Sequence, residues 1–411
     1  MNILWLSHTF PYPPKGGVYQ RSYNLIKETS QKHNVYLIAV SDRKIKNLSE
    51  AVEHFKGFCS EVSIIELPFN NLSKYFIALK SFFSLKPYTT QWIQNIEARK
   101  TIRHFIHKLN INVVHFDSID VAPYIDEVKD LPKVLNHHNI ESQMMMRRFI
   151  KEKNLLKKIY FFVEAIKLKK QEKILCAQFR SNVVVSNLDK DRLLKVCPSI
   201  KIDVIPNGVD INYFAPTQQN YEPNTLIFAG GMTWYPNRDA MQYFCNKIWP
   251  LIKTYYPDVK MTIIGRNPPK NILKLSRLDP NIIVTGFVDD IRPYAERTHV
   301  YVCPIRDGGG TKVKILDALA MGKPIVAHPI AIEGIDGKAG EHFLLAKTPA
   351  EFLQQISNLF DNHELCKRLS HNGRELAIEK YDFKKIGEKL SCVYESILSE
   401  VDIKQRSEVA Q

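Results

Sequence analysis

Short apolar runs recur along this chain, and helix-length segments separate them. The runs fall at Asn2–Ser7, Val35–Val40, Val62–Leu67, Val113–Phe116, Lys133–Asn136, Val183–Ser186 and Ile202–Ile205. Apolar runs of this length bounded by turn residues read as buried strands, and their alternation with helices predicts a parallel sheet wound with helices. At Pro206–Asp210 the sequence PNGVD reads as a turn and a hinge. The pattern then restarts. Thr225–Ala229 is a strand, Gly230-Gly231 a turn, Asn237–Ile252 a helix, Met261–Ile264 a strand ending at Gly265-Arg266, and Ile282–Thr285 a strand ending at Gly286. Val300–Pro304 follows as a strand and Thr311–Ala320 as a helix closed by Gly322 and Pro324. Phe352–Phe360 and Phe383–Leu398 read as helices, and the polar end IKQRSEVAQ as a disordered tail. The expected fold class is α/β, with two successive doubly wound, Rossmann-like units. Their expected bounds are 1–205 and 206–382, with 383–411 a C-terminal helix packing back towards the first domain, plus the tail.

Composition changes this picture little. A length of 411 residues with 45% hydrophobic and 24% charged content suits two globular cores. The seven cysteines are scattered with no CxxC, which argues against a disulfide framework or a zinc site and fits a reducing cytoplasm. The apolar start Ile3–Leu6 is too short for a signal-peptide core, and no apolar run is long enough to span a bilayer. Any membrane contact is therefore expected to be peripheral, on the inner face of the plasma membrane.

Charge adds more. The net charge is +14, and between Arg147 and Lys173 ten Lys and Arg face three Glu, so half of the excess lies in one segment. That segment resembles a basic amphipathic surface helix with Ile159, Phe162, Val163 and Ile166 on one side, read either as a core-facing stripe or as a face for anionic membrane. Nucleic acid is not expected as a partner, because no RNA-recognition, zinc-finger or homeodomain pattern accompanies the charge. A second apolar cluster, with Tyr75, Phe76, Phe82 and Phe83 within Leu72–Pro87, reads equally as core or as an acceptor-facing patch.

Candidate chemistry concentrates at predicted strand ends, where ligands of wound sheets bind. Gly308–Gly310 feeds a helix N-terminus, whose outward N–H groups and dipole suit a phosphate. Lys312 and Lys314 bring full charge to it, and Asp317 could accept sugar hydroxyls; the competing reading is an ordinary strand–helix turn. Regular helix favours Lys314, which shares a face with Asp317; a turn left open through Thr311 favours Lys312. Arg238 and Arg266 are reserves, and Gly16-Gly17 form a second loop for phosphate or sugar. The Asp-x-Asp at Asp189–Asp191 reads as the start of a surface helix rather than a metal site. His137 and His138 with Asp117 or Asp120 also suggest a metal cluster, but adjacent residues of a strand point to opposite sides, so no metal is expected. No GxGxxG follows Ile3–Ser7 or Thr225–Ala229, which argues against a dehydrogenase.

Taken in order, PYPPKGG with Arg21, LNHHNIES, VVVS, PNGVD, FAGGMTWYPN, TGFVDD and GGGTKVKILDALAMGKPIV resemble the motifs of retaining, GT-B-fold glycosyltransferases over nearly the full chain. The GGGT run is similar to that of sugar transferases of bacterial exopolysaccharide clusters. The resemblance implies two Rossmann-like domains facing each other across a cleft, a nucleotide-sugar donor as co-substrate with no separate cofactor, and a glycan or lipid-linked acceptor. It places the catalytic-site histidine on His138, with His137 competing and Glu141 close by, the acceptor side at Arg21, and the donor ribose on Asp317. Donor contacts are implied at Gly16, Gly17, Gly231, Arg266, Val288, Gly309, Gly310, Thr311, Lys312 and Lys314. Here Gly309 replaces the family's first acidic residue, and Gly231 and Pro236 replace its phosphate-binding Arg and Lys; Val288 matches the position that reads the base through its backbone. The expected activity is transfer of a hexosyl unit with retention and without metal. The alternatives are a nucleotide-sugar epimerase on the same fold and a basic peripheral membrane-binding protein without catalysis.

Overall fold

The computed structural model describes residues 1–41, 45, 47–67, 71–216 and 221–409, with the side chains of 71–75 and 401–409 outside the description. Tyr75 and the last two residues of the expected tail therefore lie outside it. The chain forms two compact units, Met1–Pro206 with Lys384–Gln411, and Asn207–Phe383.

The first unit is built on seven parallel strands: β1 (Asn2–Ser7), β2 (Asn34–Ser41), β3 (Glu61–Glu66), β4 (Val113–Phe116), β5 (Lys133–Asn136), β6 (Ser181–Val184) and β7 (Ile202–Val204). Their order is β3-β2-β1-β4-β5-β6-β7. The chain winds outward from β1 to β3, then crosses back to β4 on the other side of β1. Connections from β1 and β4 thus diverge, which leaves a crevice at the carboxyl ends of these two strands. Helices cover both faces, so the central strands β1, β2 and β4 are mostly apolar and buried. Alternate residues serve opposite faces: Leu4 and Leu6 join one core with Ile102 and Phe105, while Ile3 and Trp5 join another with Leu25, Ile386, Leu390 and Tyr394.

The second unit repeats the plan with β8 (Glu222–Ala229), β9 (Lys260–Ile264), β10 (Ile282–Gly286), β11 (Thr298–Cys303), β12 (Ile325–Ala327) and β13 (Leu344–Leu345), in the order β10-β9-β8-β11-β12-β13. Its switch point lies between β8 and β11. A single buried cluster, from Val209 to Tyr381, forms its core. The helix Val313–Ala320 ends at Gly322, whose φ of 63° suits a residue without Cβ.

Three expectations are revised and two strands are added. The strand expected at Val183–Ser186 ends at Val184, because Ser186 caps the helix Asn187–Leu194 by accepting from Asp189 N–H at 3.1 Å. The helix expected over Asn237–Ile252 is three pieces, Tyr235–Tyr243, a π-helical turn Phe244–Ile248, and Trp249–Tyr255. Pro250 explains the break: it has no N–H to give and its ring clashes with the preceding turn of a regular helix. The strands β12 and β13 are too short for periodicity to reveal. The last helix runs Phe383–Val409, so most of the segment read as a disordered tail is helical. Among the described residues no helix is long and apolar enough to cross a membrane.

Candidate active site

At the carboxyl ends of β1, β4 and β5 the first unit gathers buried polar groups around Asp117, which follows β4 directly. Its carboxylate accepts Ser22 Oγ at 2.6 Å and Ser7 Oγ at 3.2 Å on one oxygen, and Asn136 Nδ2 at 3.2 Å on the other. His138 Nε2 stands 3.5 Å from Asp117 Oδ1. Burial alone would raise the Asp117 carboxyl, but the imidazoles of His138, His115 and His8 outweigh it and hold the group below its ordinary value. His137 points the other way, is 2% exposed, and meets Asn182 Oδ1 at 3.2 Å; burial lowers it to about 4. Of the two adjacent histidines, His138 is therefore the one that shares a site with a carboxylate.

A small cavity of about 50 Å³ is lined by His8, Val18, Ser118, Asp120, His138 and Glu141, among others. Burial, then the carboxylates of Asp120 and Glu172, push Glu141 up to about 8, so it can carry a proton at neutral pH. Gly16 lies at the N-terminus of the helix Gly17–Ser30 with φ 120°. Arg21 is corrected. It is 1% exposed, and its guanidinium donates to Asn136 Oδ1 and to the carbonyls of Ile205 and Pro206, so its task is to tie the end of β7 to the sheet rather than to face an acceptor.

His8, which sequence reasoning missed, supplies a second imidazole: His8, Asp117 and His138 each offer an atom within 4.8 Å of the others. Within this set the Asp117 oxygens already accept Ser7, Ser22 and Asn136.

In the second unit the loops after β8, β9, β10 and β11 converge. Gly230 N–H donates to Ile264 O, Met232 N–H to Arg266 O and Gly265 N–H to Gly286 O, which aligns three of the turns. Arg266 is exposed and stacks 4.0 Å over Phe287, next to half-buried Val288. The fourth turn is fixed by its lysines. Lys312 holds the position before the helix Val313–Ala320 without a side-chain capping bond, and donates its ammonium to the carbonyls of Gly308, Gly309 and Gly310, at 3.4, 3.0 and 2.7 Å. The Lys312 ammonium thus closes the glycine loop on itself. Gly308, with φ 105°, packs against Trp234 and Pro236.

Lys314 reaches under the turn after β8. Its ammonium donates to Asn237 Oδ1 at 2.6 Å and lies 4.3 Å over the Phe228 ring, while Asn237 Nδ2 donates to Gly231 O at 2.9 Å. Burial lowers Lys314 to about 8. Its charge thus stands beside the turn that contains Gly231. Two buried atoms nearby have no hydrogen-bond partner, Thr311 Oγ1 and Asp317 Oδ1. Burial pushes Asp317 up to about 8. Orphaned buried polar atoms are costly, and a ligand that supplies hydroxyl and phosphate groups would satisfy them. Asn237 is the site residue that sequence reasoning passed over, since it acts through Lys314 and Gly231; Asp117 was named only beside Asp120, as part of a metal cluster judged against, and its partners lie far along the chain.

A groove of about 980 Å³, lined by Lys129, Lys173, Arg180 and Lys201 among others, opens at the amino ends of β5–β7, the opposite end of the strands from these groups.

Comparisons with known proteins agree with this layout. The family model described as "Glycosyltransferase Family 4" matches residues 15–213, and "Glycosyl transferases group 1" matches 223–362. An uncharacterised 44.6 kDa protein of the cps region of Klebsiella pneumoniae is 23% identical over 401 residues, covering 93% of this chain and 97% of the relative. An Escherichia coli UDP-Gal:alpha-D-GlcNAc-diphosphoundecaprenol alpha-1,3-galactosyltransferase is 25% identical over 192 residues, 43% of this chain and 47% of its own. Among solved structures, the Anabaena protein HepE in complex with UDP superposes with a TM-score of 0.67 at 14% identity, over 96% of this chain and all of that one. Two wound parallel sheets, glycosyltransferase models along both, and neighbours of the same architecture lead to one conclusion: the chain belongs to the GT-B-fold glycosyltransferases.

Proposed function

We propose that the protein moves a hexosyl unit from a nucleoside-diphosphate sugar to a glycan or lipid-linked acceptor in polysaccharide assembly, with retention of configuration and without a metal or a resident cofactor. The observation that carries this reading is the loop–helix junction of the second unit, with an uncapped helix N-terminus, the Lys314 ammonium beside the turn after β8, and the unpartnered Thr311 and Asp317 oxygens. Loss of the sugar leaves negative charge on the diphosphate, and fixed cationic and N–H groups in a buried site stabilise that charge as it develops. Asp317 would accept hydroxyls of the ribose, and Val288 with the Arg266–Phe287 stack would meet the base. Uridine is the first base to test, since HepE was solved with UDP and the E. coli relative is named for UDP-Gal.

In the first unit, His138 beside Asp117 is the group placed to handle a hydroxyl proton or a sugar contact, with Asp117 as its positioning residue. The activity is assigned to the cytoplasm, where nucleotide-sugars would serve as the donor pool. Calorimetry with a panel of nucleoside diphosphates and their sugars tests the donor site, and transfer assays in EDTA test the metal. Tight binding with full turnover in chelator is the expected result; turnover that vanishes and returns with Mn²⁺ would refute metal independence. Donor consumed at the same rate with no acceptor present would point to an epimerase. For His138→Ala the expected result is a fall in kcat with nucleotide affinity unchanged.

A further inference from the structure

His137 and His138 point apart and cannot share an ion, but the fold supplies a different second imidazole. His8 follows β1 directly, and it is placed with Asp117 and His138 so that one ligand atom from each lies within 4.8 Å of the other two. The rings of His8 and His138 stand 5.8 Å apart between centroids, tilted by 60°. His138 Nε2 is buried and makes no hydrogen bond, and it faces Asp117 Oδ1 at 3.5 Å. A direct hydrogen bond would draw that pair to ~2.7–3.2 Å. Two ligands of one tetrahedral zinc, each ~2.0–2.2 Å from the ion, stand ~3.3–3.6 Å apart.

Asp117 is oriented for such a role. Its Oδ2 faces Ser7 and Ser22, while Oδ1 accepts Asn136 Nδ2 at 3.2 Å, and a carboxylate oxygen has two lone pairs, so one on Oδ1 is left for an ion. Asn136 is itself fixed by Arg21, which donates to its Oδ1 at 3.0 Å. Hydrogen bonds of this kind behind a ligand hold it in place and raise metal affinity. The cavity of about 50 Å³ lined by His8, Asp120 and His138 has room for a water as fourth ligand. Two imidazoles and one carboxylate suit zinc, whereas magnesium and calcium take oxygen ligands. We propose that His8, Asp117 and His138 bind a zinc ion, and that the bound ion arrests sugar transfer. The His138 lone pair that holds the ion is the one that would take a hydroxyl proton, so the two uses exclude each other. Zinc is then an inhibitor of this site and not its cofactor. The inhibition rests on the transferase reading; the binding does not.

Zinc affinity is measured on the full chain with neither donor nor acceptor, in competition with a chromophoric chelator. A Cys392→Ser background removes the exposed thiol. One equivalent should bind, and His8→Ala and His138→Ala should each weaken it at least ~10-fold, since loss of even a group behind a metal ligand costs ~10–100-fold. Co²⁺ in place of zinc should give the strong visible absorption of a four-coordinate site in the parent and lose it in both variants. His8 is half-buried at the cavity wall, so its variant reports even where a change at Asp117 unfolds the chain. In transfer assays, each compared with its own zinc-free rate, His8→Ala should need at least ~10-fold more zinc than the parent for half inhibition. Parent-like zinc affinity in both histidine variants, or a cobalt complex without that absorption, overturns the site. Bound zinc that leaves transfer unchanged, or speeds it, overturns the inhibition. A chain that transfers no sugar yet binds zinc as described would refute the transferase reading and leave the site standing.

Discussion

Lys314 and Asp317 stand one turn apart on a buried helix face, and burial moves them in opposite directions, Lys314 down to about 8 and Asp317 up to about 8. Asp317 therefore holds its proton at neutral pH. Between its ordinary 3.8 and about 8 the folded chain keeps a proton that the unfolded chain has released, so its contribution to stability is full below that window and falls as pH rises through it. Asp317→Asn should flatten thermal stability against pH across this range; an unchanged slope would show that other groups set it. Lys314→Ala should weaken nucleoside-diphosphate binding by roughly 10- to 100-fold, the worth of a charge-assisted hydrogen bond of ~1.5–3 kcal/mol. Lys312→Ala strands three loop carbonyls instead, so the melting temperature should drop while affinity changes much less; calorimetry and melts on both variants separate the two roles. Sequence made this cluster legible because its members are neighbours in the chain. It left the two lysines undivided, since their roles depend on the helix beginning at Val313, just past Lys312. His8 stayed hidden, and Asp117 was not told apart from Asp120, for another reason: Ser7, Ser22 and His138 reach Asp117 through the fold, across about a hundred residues in two cases, and no spacing records that.

Among the elements, strands buried on both faces were legible because both faces must be apolar, and the turns after them because glycine marks close backbone approach. The turn after β8 shows what such a glycine is for. A Cβ on Gly230 would run into Lys314 Nζ and the Asn237 side-chain amide, and one on Gly265 would strike the Gly230 carbonyl. The turn and the helix Val313–Ala320 are therefore fitted to each other. Gly230→Ala keeps every charge yet should reduce nucleoside-diphosphate affinity as Lys314→Ala does; parent-like affinity would show that the ammonium's place is not what matters. What sequence could not reveal at this scale was the shift to a π-helical turn before Pro250, or strands of two and three residues, where too few side chains exist to form a pattern.

At the scale of the whole molecule, the first unit is discontinuous: its core takes Ile386, Leu390, Tyr394 and Ile397 from the last helix, and the Tyr394 hydroxyl bonds His115 Nδ1 at 2.8 Å beneath Trp5. Each fully buried side chain of this kind contributes ~1.5–3 kcal/mol, so losing four removes ~6–12 kcal/mol from a domain whose whole stability is ~5–15. Residues 1–206 made alone should therefore fail to melt cooperatively, whereas 207–383, with a core entirely its own, should do so; circular dichroism on the two fragments decides it. The helix and its direction back towards the first domain were expected from the sequence, but the side chains it meets, such as His115 279 residues earlier, were not. This threading reverses the usual timetable of biosynthesis. A ribosome completes the second unit in one uninterrupted stretch while the nascent first sheet still lacks the helix that covers Ile3, Trp5, Val35 and Leu37. Until residue 397 has emerged, that sheet face, covered only in part by Leu25, Ile26 and Phe55, is a surface for a holding chaperone, and the half of the protein made first is the half that finishes last.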